Sequence, residues 1–285
     1  MNGGLGAFRF DHAILASREL EPMSERLASR GLVPEYGGLH ANGVTHNALV
    51  GFDDGSYLEL LSTVDPDETP PRRARLIRET AGPCGWAVGT TALEAAIERF
   101  ADLGLTVDGP IEMERRTDDG ELAKWACAFL GDCVPGTRYP FLIADRTPRS
   151  RRVRSSESVR GTELTGVRTV LLGVAELDRA VAEYERFFGL ESDGRWVDDD
   201  LGLEVGTFEG SPIIITAPLP ENEWLTERLE RFGALPWGFL LETTDFDRTA
   251  ARFPIRRWER PSSGRAGWID APFGVDGRLG VVERA

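Results

Sequence analysis

Residues Phe8 to Val64 read FRFDHAILASRELEPMSERLASRGLVPEYGGLHANGVTHNALVGFDDGSYLELLSTV, a pattern of strand, helix and then three strands that decides the fold. All three histidines of the chain, His12, His40 and His46, lie in this stretch. Chemistry that needs a neutral nitrogen ligand or a base near neutral pH therefore starts here. In FRFDHAIL, alternation puts Phe8, Phe10, His12 and Ile14 on one strand face and Arg9, Asp11 and Ala13 on the other. In SYLELLS, Tyr57, Glu59 and Leu61 share a face. Each strand thus aims one polar group among apolar neighbours. A buried imidazole or carboxylate without a partner is costly, and a divalent cation held by both resolves that cost. The competing reading is a satisfied core histidine beside a glutamate paired with arginine.

A metal site needs a third donor. His46 suits by type, because two histidines and one carboxylate are a usual set for zinc, iron or manganese. Register decides its position. If Asp54 and Gly55 form a two-residue turn, Val50 lies opposite Glu59, and His46 falls on the Glu59 face but roughly 13 Å of strand rise away. That separation suits a group touching substrate. A three-residue turn instead turns His46 away and brings Asn47 inward. His40, within GGLHANG, is expected in a loop at the mouth, where Gly37, Gly38 and Gly43 leave it free to close.

The opening pattern repeats. FDHAILASRELEPMSERLASRGL, CGWAVGTTALEAAIERFADLGL, VRTVLLGVAELDRAVAEYERFFGL and WGFLLETTDFDRTAARF each join an apolar strand to an amphipathic helix. In the first three a glycine precedes leucine at the helix end (Gly31, Gly104, Gly189), as a left-handed cap requires. Further strands follow each helix, with turns at Asp53 to Gly55, Pro135 and Gly136, Glu209 and Gly210, and Gly274 with Asp276 and Gly277. The expected class is α+β, with four βαβββ modules over residues 8–64, 83–147, 165–218 and 235–283. They divide into domains at 1–148 and 165–285. The Ser- and Arg-rich stretch 149–164 reads as the linker between them, its arginines paired with local carboxylates. A second linker, 65–83, carries Arg72, Arg73, Arg75 and Arg78.

Composition narrows the function classes. The 285 residues carry 47 acidic and 33 basic side chains, a net charge of −14, with Lys124 the sole lysine. Such a surface repels nucleic acid and anionic membranes, and no apolar run is long enough to span a bilayer. The opening MNGGLGAFRF lacks the basic and apolar regions of a secretory signal, and three cysteines without Cys-x-x-Cys spacing suit reduced thiols, so a cytoplasmic protein is expected. The GGLGAF run precedes the first strand and is assigned no role. An acid-rich, lysine-poor surface suits a salt-loaded, halophilic cytoplasm; full stability in low-salt buffer would overturn that reading.

DHAIL, then GVTHNAL, then DGSYLELL followed by VDPDE resemble the glyoxalase-like branch of the vicinal oxygen chelate superfamily. The resemblance is strongest over residues 8–68 and architectural over the later modules. It implies paired modules forming two incomplete barrels around a divalent metal (Zn, Fe, Mn or Ni) that chelates adjacent substrate oxygens. Carried over by position, His12 is the first-strand ligand and Glu59 the last-strand ligand; the third metal ligand, His46, is a candidate on residue type alone. The positions matching His12 in later modules are Gly85, Thr169 and Gly238, and Ile213 to Ile215 stand where Glu59 would be in the third. The second half is therefore expected to be degenerate for metal.

The function implied is a metal-dependent lyase, isomerase or dioxygenase acting on a small oxygen-bearing anion, with Glu59 or His46 moving a proton. His40, Asn47, Trp86, Trp125 and Tyr139 would contact substrate, and an arginine of the first linker, Arg75, would hold its acid group. A different class is a non-catalytic small-molecule binder like the bleomycin-resistance proteins. A third is a scaffold whose second half, bearing Trp196, Trp224, Trp237, Trp258 and Trp268, docks a partner. The expected partners are a small molecule and, at most, a second copy as a homodimer.

Overall fold

The computed structural model describes residues 8–70, 72–117, 120–258, 264–270 and 277–284. The GGLGAF run, save Phe8, and the turn residues Gly274 and Asp276 lie outside them. In the first module the order is β1 (Arg9–Ala16), α1 (Leu20–Ala28), β2 (Glu35–Leu39), β3 (Thr45–Gly51) and β4 (Tyr57–Thr63). A short α2 (Ala74–Arg78) leads to β5 (Gly82–Gly89), α3 (Leu93–Asp102), β6 (Val107–Arg116), β7 (Leu122–Leu130) and β8 (Phe141–Asp145). The third module is β9 (Leu164–Gly173), α4 (Leu177–Phe188), β10 (Ser192–Asp198), β11 (Leu203–Phe208) and β12 (Ile213–Pro218). After α5 (Glu223–Phe232) come β13 (Leu235–Thr243), α6 (Phe246–Arg252), β14 (Ile255–Trp258), β15 (Ala266–Ile269) and β16 (Arg278–Glu283). The sequence reading did not anticipate α5, although Asn222 supplies its cap by accepting from the Leu225 amide.

Modules join in pairs through their first strands. β1 lies parallel to β4 and antiparallel to β5, which gives one eight-stranded sheet ordered β2-β3-β4-β1-β5-β8-β7-β6. β9 and β13 repeat the arrangement in a second sheet, β10-β11-β12-β9-β13-β16-β15-β14. Both sheets curl into half-barrels. The predicted helix ends hold, with Gly31, Gly104 and Gly189 at positive φ. Helices α1 and α3 bury Met23, Leu27, Leu93 and Phe100 against Ala13, Leu15, Leu58, Leu60 and Trp86 on the convex side. The same cluster runs on into the second half, where the Phe100 and Phe188 rings meet at 5.2 Å.

Trp86 belongs to this core. It is fully buried and stacked on Phe10 at 5.9 Å, so it is no wall of the site it was expected to line. Trp86→Ala is expected to cost about 3–5 kcal/mol of stability through lost burial and the cavity left behind. The urea midpoint should fall, and metal content measured well below the new midpoint should not change.

The second half packs its tryptophans into a cluster of their own. Trp237, Trp258 and Trp268 are buried with Leu171, Ile214 and Leu240, and Trp196 and Trp224 pack against them. These tryptophans are a core, which removes the basis for the docking surface considered from sequence. Register locates the counterparts of the first-half polar pair. Thr169 sits in β9 as His12 does in β1, and Ile214 pairs with Leu171 as Glu59 pairs with Ile14. A hydroxyl and an isoleucine cannot replace an imidazole and a carboxylate as metal donors.

Candidate active site

The concave face of the first sheet carries His12 and Glu59, and a bulge aims them. The β1–β5 register slips between Phe10 and His12, leaving Asp11 as the extra residue. Phe10 therefore turns into the convex core instead of sharing the His12 face, which corrects the simple alternation. The slip also lets neighbouring residues bond: His12 Nδ1 lies 2.6 Å from Asp11 Oδ1. Asp11 is in turn clamped by Arg152, which donates to both carboxylate oxygens at 2.8 Å, and by Arg149 at 2.5 Å. Both arginines come from the stretch expected as a solvated linker. Arg152 is only 4% exposed and also donates to Asp145 Oδ1 and to the Tyr57 hydroxyl, each at 2.7 Å. The Tyr57 ring lies flat on His12 at 4.6 Å, and Phe141 meets it edge-on at 5.3 Å.

The turn after β3 sets the other side. Phe52 N donates to Ser56 O and Gly55 N to Phe52 O, so Asp53 to Gly55 form a three-residue turn with Gly55 at φ +82. Leu49 then faces Glu59 and Asn47 faces Leu61. His46 pairs with Ser62 and points to the opposite face, its ring edge against Tyr36 at 6.0 Å. Burial and the His40 charge lower its pKa. The imidazole that does reach Glu59 is His40, at the start of the β2–β3 hairpin: its Nε2 lies 3.6 Å from Oε1, while His12 Nε2 lies 3.5 Å from Oε2. Asn47 Nδ2 donates to Glu59 Oε1 at 2.7 Å and lies 3.2 Å from His40 Nε2. Arg115 fixes that amide by donating to Asn47 Oδ1 at 3.1 Å.

Hydrogen bonds settle which nitrogens face inward. Asp11 can only accept, so His12 Nδ1 carries the proton. His40 Nδ1 lies 2.8 Å from Thr45 Oγ1, which can accept from it while donating to Asn42 Oδ1, and Asn47 Nδ2, a donor because its Oδ1 accepts from Arg115, faces His40 Nε2 at 3.2 Å. Both Nε2 lone pairs therefore face the Glu59 carboxylate, and such a group of acceptors calls for a cation among them. Burial acts to raise the Glu59 pKa, but the His40 hydrogen bond, the His12 and His40 charges and the Asn47 amide outweigh it and lower it; the histidine contributions belong to the alternative state, in which protons on Nε2 take the place of a bound cation.

The donors open onto a cavity of about 420 Å³. Ile14, Leu61, Trp125, Phe129, Phe141 and Ile143 give it apolar walls, and Arg72 and Arg73 lie along it. Trp125, expected from sequence to contact substrate, is among the lining residues. Tyr139 is not: its hydroxyl donates to Glu183 at 2.7 Å where the two halves meet. Arg75 is exposed and paired with Glu79, outside the cavity lining. Cys127 lines the cavity, but burial pushes its thiol up to about 12, so it is no nucleophile near neutral pH.

In kind, two imidazoles and a carboxylate fit a borderline divalent ion. The N···O separations of 3.5 and 3.6 Å approach the ~3.3 Å edge of a tetrahedron with ~2.0 Å bonds. No group of three or more His, Cys, Asp or Glu among the described residues is already spaced to hold a metal; the Asn47 amide stands between His40 and Glu59.

A family described as a glyoxalase-like domain matches residues 10–188. Among solved structures, a hypothetical protein from Staphylococcus aureus is similar at 14% identity and TM-score 0.65, covering 97% of this chain and 100% of that one. A mutant of 4-hydroxymandelate synthase from Streptomyces coelicolor matches at 12% identity and TM-score 0.57, over 98% of this chain and 93% of that one. A xylose isomerase-like TIM barrel/4-hydroxyphenylpyruvate dioxygenase fusion protein matches at 14% identity and TM-score 0.56, over 99% of this chain and 50% of that one. No curated protein matches the chain. At these identities the structural likeness speaks for the fold. Among the described residues, no helix is long and apolar enough to cross a membrane.

Proposed function

The chain belongs to the glyoxalase-like domain family, with vicinal oxygen chelate architecture, and from that premise we propose that it is a divalent-metal-dependent enzyme acting on a small oxygen-chelating anion. The observation that carries this reading is the convergence of the His12 and His40 Nε2 atoms on the Glu59 carboxylate, each ring being held from behind through its Nδ1 by Asp11 or Thr45. His12, His40 and Glu59 would hold the ion, so His40 takes the ligand role that the sequence reading gave to His46. A bound divalent cation supplies Lewis-acid polarisation of a substrate carbonyl or enolate oxygen.

The remaining chemistry belongs to the chain. Asp11, locked by Arg152 and Arg149, orients the His12 ring through Nδ1. Glu59, the inward carboxylate, is also the candidate to move a proton at the carbon beside the polarised oxygen. His46, on the far face, is not placed to do so. Apolar walls from Phe129, Phe141 and Ile143 keep water from the reacting end. Three protein donors would leave the ion open to substrate oxygen.

Elemental analysis of protein purified without chelator is the first test, with about one divalent ion per chain expected. Exhaustive dialysis against EDTA should lower the thermal midpoint. Adding back Mn²⁺ or Zn²⁺ at 100 times Kd should restore about 2.7 kcal/mol of stability. No uptake of any divalent ion, together with stabilisation by neutral aromatic ligands, would replace this reading with that of a binding protein.

A further inference from the structure

The position in β5 matching His12 is Gly85, and its missing side chain leaves room for a cation. A Cβ built on Gly85 would stand 3.3 Å from Arg73 Nη1 and 3.3 Å from Ile14 Cδ1. The Arg73 guanidinium therefore lies against the β5 backbone, on the same concave face as His12 and Glu59. Its Nη1 is buried and has no hydrogen-bond partner. Neighbouring arginines of the cavity are committed: Arg72 pairs with Asp108 and lies over Phe129, and Arg152 is held by Asp11 and Asp145. A buried guanidinium N–H left unsatisfied costs free energy that a bound acceptor recovers.

Its position sets the length of the ligand. Gly85 pairs with Ile14 across one ladder and Ile14 with Glu59 across the next, so the Arg73 site and the Glu59 backbone lie two strand spacings apart, roughly 10 Å. Side chains leaning in from both ends shorten that span to the length of a small acid. Ile14 lies between them, and the cavity wall beside this span, Phe141 included, is apolar. We infer that Arg73 anchors a carboxylate at the far end of the substrate, so that the cavity takes a short-chain organic acid whose other end bears the chelating oxygens. This rests on the proposed metal reading for the chemistry at that other end, while the anchor itself needs no metal. The sequence reading gave this role to Arg75, two residues on, which faces solvent.

The test uses metal-free, full-length protein, with butyrate as the charged probe and butyramide as its neutral isostere, at ionic strength held constant with sodium chloride. Butyrate should raise the thermal midpoint of the wild type and butyramide should not. In Arg73→Met and Arg73→Gln the butyrate affinity should fall about 10- to 100-fold, the range set by one or two charge-assisted hydrogen bonds. Ligand-free stability should hold, because Nη1 has no partner to lose, and Arg75→Met should behave as wild type. Equal response to both probes, or an unchanged butyrate response in both Arg73 variants, overturns the anchor. Mn²⁺ binding is titrated separately on the same proteins. Mn²⁺ uptake without a butyrate response removes the anchor alone; a butyrate response lost in the Arg73 variants, without Mn²⁺ uptake, leaves the anchor and removes the metal reading.

Discussion

Arg152→Met is expected to lower stability by about 3–5 kcal/mol, the cost of breaking a buried ion pair from one side. The guanidinium is 4% exposed and Asp11 is 1% exposed, so the variant leaves a carboxylate in the core with Arg149 and His12 as its remaining partners. The double variant Asp11→Asn with Arg152→Met should recover more than about 1 kcal/mol of that loss, because no stranded charge remains. Acid sensitivity checks the same claim. Burial acts to raise the Asp11 pKa, but the charge and hydrogen bonds of Arg152, with His12, outweigh it and hold the group well below its usual value. A depressed folded-state pKa gives stability that is present above the unfolded value of about 3.9 and lost as pH falls toward the folded one. The wild type should therefore lose this contribution on acidification below about pH 4, and Arg152→Met should lose less. Urea unfolding at a series of pH values reads both effects. An acid limb of equal slope in the two proteins would show that the pair does not hold Asp11 ionised.

What the sequence made legible was periodic, and what it hid was register and distance. Alternation alone put His12 and Glu59 on inward faces, and repeated strand-helix openings marked all four modules. Alternation also assigned Phe10 to the His12 face, because a bulge at Asp11 leaves no local mark. His40 and His46 exchanged places on one turn residue: closing Asp53 to Gly55 as three residues flips every side chain of β3 relative to β4. The alternative turn was visible, and only the backbone could choose between them. Trp86 was decidable, since it neighbours Gly85, the His12 counterpart, and strand neighbours face opposite ways. Arg152 was not, because it lies far along the chain from the Asp11 it clamps and nothing in RTPRSRRVR separates it from the exposed arginines around it.

The second large effect concerns the ligands themselves, and its pattern across five variants matters more than any one of them. His12→Ala, His40→Ala and Glu59→Gln should each reduce bound divalent metal from about one equivalent to near background, since a site built on three protein donors rarely survives the loss of one. Asp11→Asn should retain metal with affinity weakened about 10- to 100-fold, as for a group that orients a ligand without touching the ion. His46→Ala should leave metal content unchanged, because its ring faces away from Glu59. Calorimetric titration with Mn²⁺ and elemental analysis give two independent readouts, with circular dichroism confirming that each variant is folded. Glu59→Gln is the sharpest member of the set. It keeps the shape and the Asn47 contact while removing the negative charge that offsets the ion, so full metal content in Glu59→Gln would mean the cation site lies elsewhere. Metal lost on mutating His46 and kept on mutating His40 would restore the two-residue turn and with it the opposite register of β3.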